Sequence, residues 1–150
     1  MKRLAVVCAV LGLVGLVLGM VVPAGAQDGG GRTIRVVERI TEARFQDLAP
    51  QGPSLGDQFV QSGNLWRQGN RVGRDGVVCT VTSRRREELQ CEATVRFHNG
   101  QIAVQGLISN QSQFDLPVTG GSGAYTGAEG IVHVNSVSNN KEILTFHLED

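Results

Sequence analysis

Leu116 to Gly130 reads LPVTGGSGAYTGAEG, a short apolar run broken by paired and spaced glycines, and the reading of this stretch decides the fold. Gly120 and Gly121 give the backbone freedom that a β-carbon removes, and Gly123, Gly127 and Gly130 follow closely. A strand that ends near Thr119 and turns sharply into another is the expectation. Two readings stay open. The turn is either a strained corner in a sheet or part of the mouth of a closed β-barrel, where glycine kinks let strands bend around a small lumen.

Outward from this point the chain reads as short strands. Thr33 to Ile40 alternates, with Ile34, Val36, Glu38 and Ile40 in one row, which sets a carboxylate among apolar neighbours. A shift by one residue would instead turn Val37 inward, together with Arg35 and Arg39. Thr41 to Gln58 holds Pro50, Gly52 and Pro53 without a clean period. It reads as a long connection with a turn of helix around Glu42 to Leu48, placed to cap one end. From Gln58 to Trp66, Phe59 and Leu65 share one face, and Val60, Ser62, Asn64 and Trp66 the other.

Val77 to Thr82 and Leu89 to Phe97 form the clearest hairpin. With Arg84 to Arg86 as a three-residue loop, Ser83 faces Glu87, Val81 faces Leu89 and Cys79 faces Cys91. The two cysteines are then either a disulfide or two buried thiols acting as small apolar groups. Gln101 to Ser109 follows the hairpin signal Asn99-Gly100, and Gln113 to Thr119, Gly130 to Val137 and Glu142 to Glu149 complete the set. About eight strands at hairpin spacing with no long helix give a sandwich or a barrel, and eight strands enclose room for side chains or one small ligand.

The N-terminus reads differently. Lys2 and Arg3 precede an apolar run from Leu4 to Val22, and Ala24-Gly25-Ala26 follows. This is the pattern of a secretory signal peptide over residues 1–26, cleaved before Gln27; the competing reading is a membrane anchor. Cys8 would leave with the signal. A polar, glycine-rich leader over 27–32 then precedes a single β-barrel domain over 33–150, and the expected location is extracellular.

The whole chain has 14 Lys and Arg against 14 Asp and Glu; losing Lys2 and Arg3 leaves 12 against 14, a formal charge of −2. That balance gives no nucleic-acid footprint, and after signal cleavage no membrane partner is expected. Arg84-Arg85-Arg86 reads as a solvated hairpin tip. His98, His133 and His147 are too scattered for a zinc spacing, so neither metal nor other cofactor is expected. Asn110-Gln111-Ser112 fits a glycosylation sequon.

Five stretches, PSLGDQFVQSGNLW, NRVGRDGVVC, CEATVRFHNGQIAVQG, LPVTGGSGAYTGAEG and ILTFHL, resemble in that order the barrel of the allene oxide cyclases, and the glycine motif also resembles the plant dirigent proteins. The resemblance covers about Pro53 to Leu148 and implies an all-β, eight-stranded antiparallel barrel, lipocalin-like in shape. It further implies a lumen set of Glu38, Asn64 and Cys79. In the allene oxide cyclases such a glutamate, an asparagine-held water and a cysteine steer the opening and ring closure of an unsaturated fatty-acid epoxide. Ile40 stands where that family has a second asparagine. Trp66, Phe97 and Tyr125 are the expected ligand-contacting aromatics, and a homotrimer is the implied assembly. An apolar tube fixes one conformer of a flexible molecule while a few polar groups stabilise developing charge. The expected function is therefore a secreted barrel binding a small hydrophobic molecule, as an isomerase, a cyclase or a dirigent-like stereochemical guide. The alternative is a non-catalytic carrier or structural barrel whose lumen is filled by Phe97, Val95 and Leu89.

Overall fold

The computed structural model describes residues 31–109 and 111–149. The signal peptide and its cleavage site, Cys8, most of the leader and Asn110 of the sequon lie outside the described residues. Within them the chain forms eight strands: β1 (Arg32–Gln46), β2 (Gln58–Arg67), β3 (Asn70–Ser83), β4 (Glu88–Phe97), β5 (Gly100–Ser109), β6 (Gln113–Gly123), β7 (Glu129–Ser138) and β8 (Lys141–Glu149). Each pairs antiparallel with its sequence neighbour, and β1 pairs with β8, closing an eight-stranded barrel. The period-2 alternation seen in the sequence sends one row inward on every strand. Ile34 and Val36, Val95 and Phe97, Ile102 and Val104, Leu116 and Val118, Val132 and Val134, and Leu144, Phe146 and Leu148 are all buried in one core.

Three local expectations change. β1 starts at Arg32, inside the expected leader, and continues to Gln46, so the segment read as a helical turn is strand. An irregularity between Ile40 and Glu42 lets Glu42 to Gln46 pair with Ser62 to Gln58, which gives their backbone groups partners that a lone turn of helix would lack. The loop that remains, residues 47–57, is organised by the buried Asp57 carboxylate. It accepts hydrogen bonds from Ser54 N (2.6 Å), Ser54 Oγ (3.0 Å) and Leu48 N (3.0 Å), and these donors, Ser54 N foremost, hold its pKa below the ordinary carboxylate value.

The β3–β4 turn is the second change. It has four residues, Arg84 to Glu87, with Glu87 left-handed at φ +53°, and Ser83 faces Glu88 rather than Glu87. A bulge between Val81 and Ser83 absorbs the extra residue, so Val81 still faces Leu89 and Cys79 still faces Cys91.

The third concerns the glycine motif. β6 does not end at Thr119 but kinks there, the β5–β6 register slipping between Ala103 and Val104, and runs on to Gly123. Gly123 at φ +64° starts the turn, whose Ala124 N donates to Asn99 O (2.8 Å) of the β4–β5 turn. A β-carbon on Gly121 would collide with Tyr125 and with the Gln101 carbonyl. The motif thus folds Tyr125 onto the barrel end formed by the β4–β5 and β6–β7 turns. There its ring packs at 5.5 Å from Phe97 beneath the Arg32 guanidinium. The motif closes one end of the barrel; it does not shape the mouth.

Candidate functional site

With Phe97, Tyr125, Leu65 and Ile102 packed at that end, a cavity of about 240 Å³ remains above them. None of the four borders it, and its rim carries the exposed Gln111 of the β5–β6 connection. The volume lies near the lower end of ligand pockets and corresponds to roughly eight waters.

The cavity wall is uneven. β4 to β7 contribute hydrocarbon, among them Leu89, Val95, Val104, Ile108, Phe114 and Val134. The contiguous strands β8, β1, β2 and β3 contribute Glu142, Glu38, Gln61 and Asp75. Glu38 is opposite Glu142 in the β1–β8 register, and Asp75 is opposite Gly63 of β2, which is itself opposite Ile40 of β1. Gly63 leaves the notch in which the acids meet: a methyl there would come within 2.5 Å of Glu38 Oε1 and 3.0 Å of Asp75 Oδ1. Gln61 Nε2 donates to Glu38 Oε1 at 2.9 Å, and Ser136 Oγ donates to Glu142 Oε1 at 2.8 Å.

Glu38 is 1% exposed. Burial, then the neighbouring Asp75 and Glu142 carboxylates, push its pKa up to about 8, against the lowering donation from Gln61. Burial likewise raises Asp75. Glu38 therefore holds a proton at neutral pH beside a second acid that competes for it. Such a pair can deliver a proton to one atom of a bound molecule and accept one from another.

The sequence-expected residues divide. Glu38 points into the lumen, as its apolar row indicated. Cys79 also borders the lumen but is bonded to Cys91 as a disulfide (S–S 2.03 Å), so it offers no free thiol for the role that the resemblance assigned. Asn64 does not join them. On β2 the inward row is Phe59, Gln61, Gly63 and Leu65, and Asn64 and Trp66 stand on the other face. Trp66 there lies under the Arg39 guanidinium at 4.9 Å. Phe97 and Tyr125 form the floor beneath the cavity instead of its lining. His133, expected to face outward, lies on the outer surface with Nδ1 2.6 Å from Asp115 Oδ1. Gln61, Asp75 and Glu142 were missed; parity signalled Asp75, in the row of Val77 and Cys79, and Glu142, in that of Leu144 and Phe146, whereas both rows of β2 mix polar and apolar residues.

Residues 37–148 match the allene oxide cyclase barrel-like domain. The chain belongs to that family. A search of curated protein sequences finds no match. Among solved structures, the chain is similar to a pyocyanin demethylase at 25% identity and a TM-score of 0.71, over 78% of this chain and 99% of that one. A pterocarpan synthase dirigent protein has the same fold at 14% identity and a TM-score of 0.59, with 79% and 92% covered. So does a Diels–Alderase from Streptomyces koyangensis, at 10% identity and a TM-score of 0.61, with 77% and 64% covered. The barrel fold of this chain is thus shared by a demethylase, a dirigent protein and a Diels–Alderase.

Proposed function

We propose that the lumen binds a small hydrophobic molecule and that the Glu38–Asp75 pair moves protons on it, promoting an isomerisation or ring closure. The buried pair of acids in a largely apolar cavity carries this reading. A barrel built only for packing or carriage gains nothing from burying two carboxyl groups, one of them without a full set of partners. Similarity to the pyocyanin demethylase over nearly all of that chain supports a role in altering a small molecule, beyond holding one. The fold alone would serve a carrier equally well.

Nitrobenzisoxazole is a suitable test molecule: it is flat, apolar and small, and loss of its ring C–H proton to a carboxylate opens the N–O bond to give a cyanophenolate that absorbs visible light. The protein should accelerate this opening well above free carboxylate buffer, with the rate rising through about pH 8 as Glu38 ionises. Glu38→Gln and Asp75→Asn should each lose most of it. Equal rates for the protein and both variants would return the lumen to the carrier reading.

Export belongs to the same proposal. The Cys79–Cys91 disulfide suits an oxidising compartment, in keeping with the N-terminal signal pattern. The mature protein recovered outside the cell should have the mass of a chain beginning at Gln27; retention of residues 1–26 in that material would refute it. The trimer implied by the resemblance is carried with it, since Phe45, Leu48 and Leu55 expose apolar surface on and after the part of β1 that extends past β8.

A further inference from the structure

The lumen's charges have no counterpart. Glu38, Asp75 and Glu142 converge from three of four contiguous strands, and among the described residues no lysine, arginine or histidine lines the cavity. Gln61 spends an amide hydrogen on Glu38, and Ser136 its hydroxyl on Glu142. Asp75 is 8% exposed and borders the cavity, and its Oδ1 finds no side-chain partner besides the carboxyl group of Glu38, itself an acid. A buried carboxylate whose side-chain partner is another acid is costly, and in a folded protein an arginine or lysine would ordinarily offset its charge. Here the missing cation has a cavity in front of it.

We propose that the molecule taken into this lumen carries a basic or cationic nitrogen, which sits against Asp75 and Glu142 while its hydrocarbon body lies on the β4–β7 wall. This rests on the reading of the lumen as a binding site and narrows its ligand to hydrophobic amines and compact heteroaromatic cations. A neutral donor would satisfy Asp75 Oδ1 alone. A cation satisfies it and also offsets the negative charge of the acid cluster, the larger effect in a poorly solvated space. An anionic ligand would add a like charge to the same face. The size of the cavity limits the body to about a bicyclic ring system.

Three probes with one ring system separate the possibilities: naphthylmethylamine, naphthylmethanol and naphthoate, each titrated calorimetrically into the full-length mature protein at neutral pH. The amine should bind about tenfold tighter than the alcohol or better, and naphthoate should not bind measurably. Asp75→Asn should bring the amine to within about threefold of the alcohol. If the alcohol binds as well as the amine, the cation preference is wrong and the apolar lumen site stands. An amine preference that survives Asp75→Asn places the cation elsewhere and also overturns the inference. If none of the three binds, the lumen reading falls, and this inference with it.

Discussion

Glu38→Gln should flatten the dependence of stability on pH and, in the same protein, remove most of the proton-transfer activity. The native state holds the Glu38 proton up to about pH 8, whereas an unfolded chain releases it near the ordinary value of 4.5. Between those values the folded protein binds more protons than the unfolded one, so stability falls as pH rises through this window and levels off above it. Glutamine does not titrate, keeps the shape, and can still meet Gln61 and Asp75. The variant should therefore match or exceed the parent in denaturant midpoint above pH 8, with a residual slope from Asp75, whose pKa is also raised. Loss of a general acid or base of this kind costs roughly 10²- to 10⁴-fold in rate. Urea unfolding across the pH range and the ring-opening assay measure the two halves separately. An unchanged slope would mean that Glu38 is solvated and ionised in the folded protein.

The second large effect concerns the lumen wall formed by β3 and β4. Cys79 and Cys91 lie directly across from each other on β3 and β4, 12 residues apart in sequence, with the bulge near Val81 keeping them in register. Closing a loop of that length removes conformations from the unfolded chain worth about 3 kcal/mol in the chain-entropy account. Replacing both by alanine should cost at least that, since the sulfur atoms also fill lumen wall, and should lower Tm by roughly 10 °C for a chain of this size. Cys79 and Cys91 are 6% and 1% exposed, so the oxidised protein should resist thiol reagents until it is unfolded and reduced. Two cysteines labelled in the denatured, unreduced protein would show that the bond is not formed. In that event a free Cys79 thiol would face the lumen beside the acids, and the cysteine role implied by the family resemblance would return.

Much of the architecture was legible before any coordinates. Alternation with period two is a local property of the chain, because successive side chains of a strand point to opposite faces whatever lies beside it. That is why the rows of Ile34, Val36 and Glu38, of Val95 and Phe97, and of Leu144, Phe146 and Leu148 were readable as inward. The Cys79–Cys91 pairing was legible for a similar reason, since a hairpin register is set within a few residues of its turn. The turn itself was misread by one residue, and the bulge at Thr82 compensated.

Closure lay outside what the sequence could show. On β2 both rows mix polar and apolar residues, so alternation could not choose between the face of Asn64 and that of Gln61; the faces of β1 and β3 on either side decided it. Glu42 to Gln46 had no helix to form because β2 was there to pair with them, a partner supplied only by the fold. The sequence by itself determined most of the strands, the inward rows of those that alternate cleanly, and a carboxylate in an apolar setting. The tertiary structure decided which inward residues meet. Glu38 and Glu142 are brought together only where the last strand joins the first, and Asp75 reaches them across a glycine that leaves room for two acids. Parity along a strand is fixed by backbone geometry, but proximity across a barrel is fixed by register and closure, which depend on every strand at once.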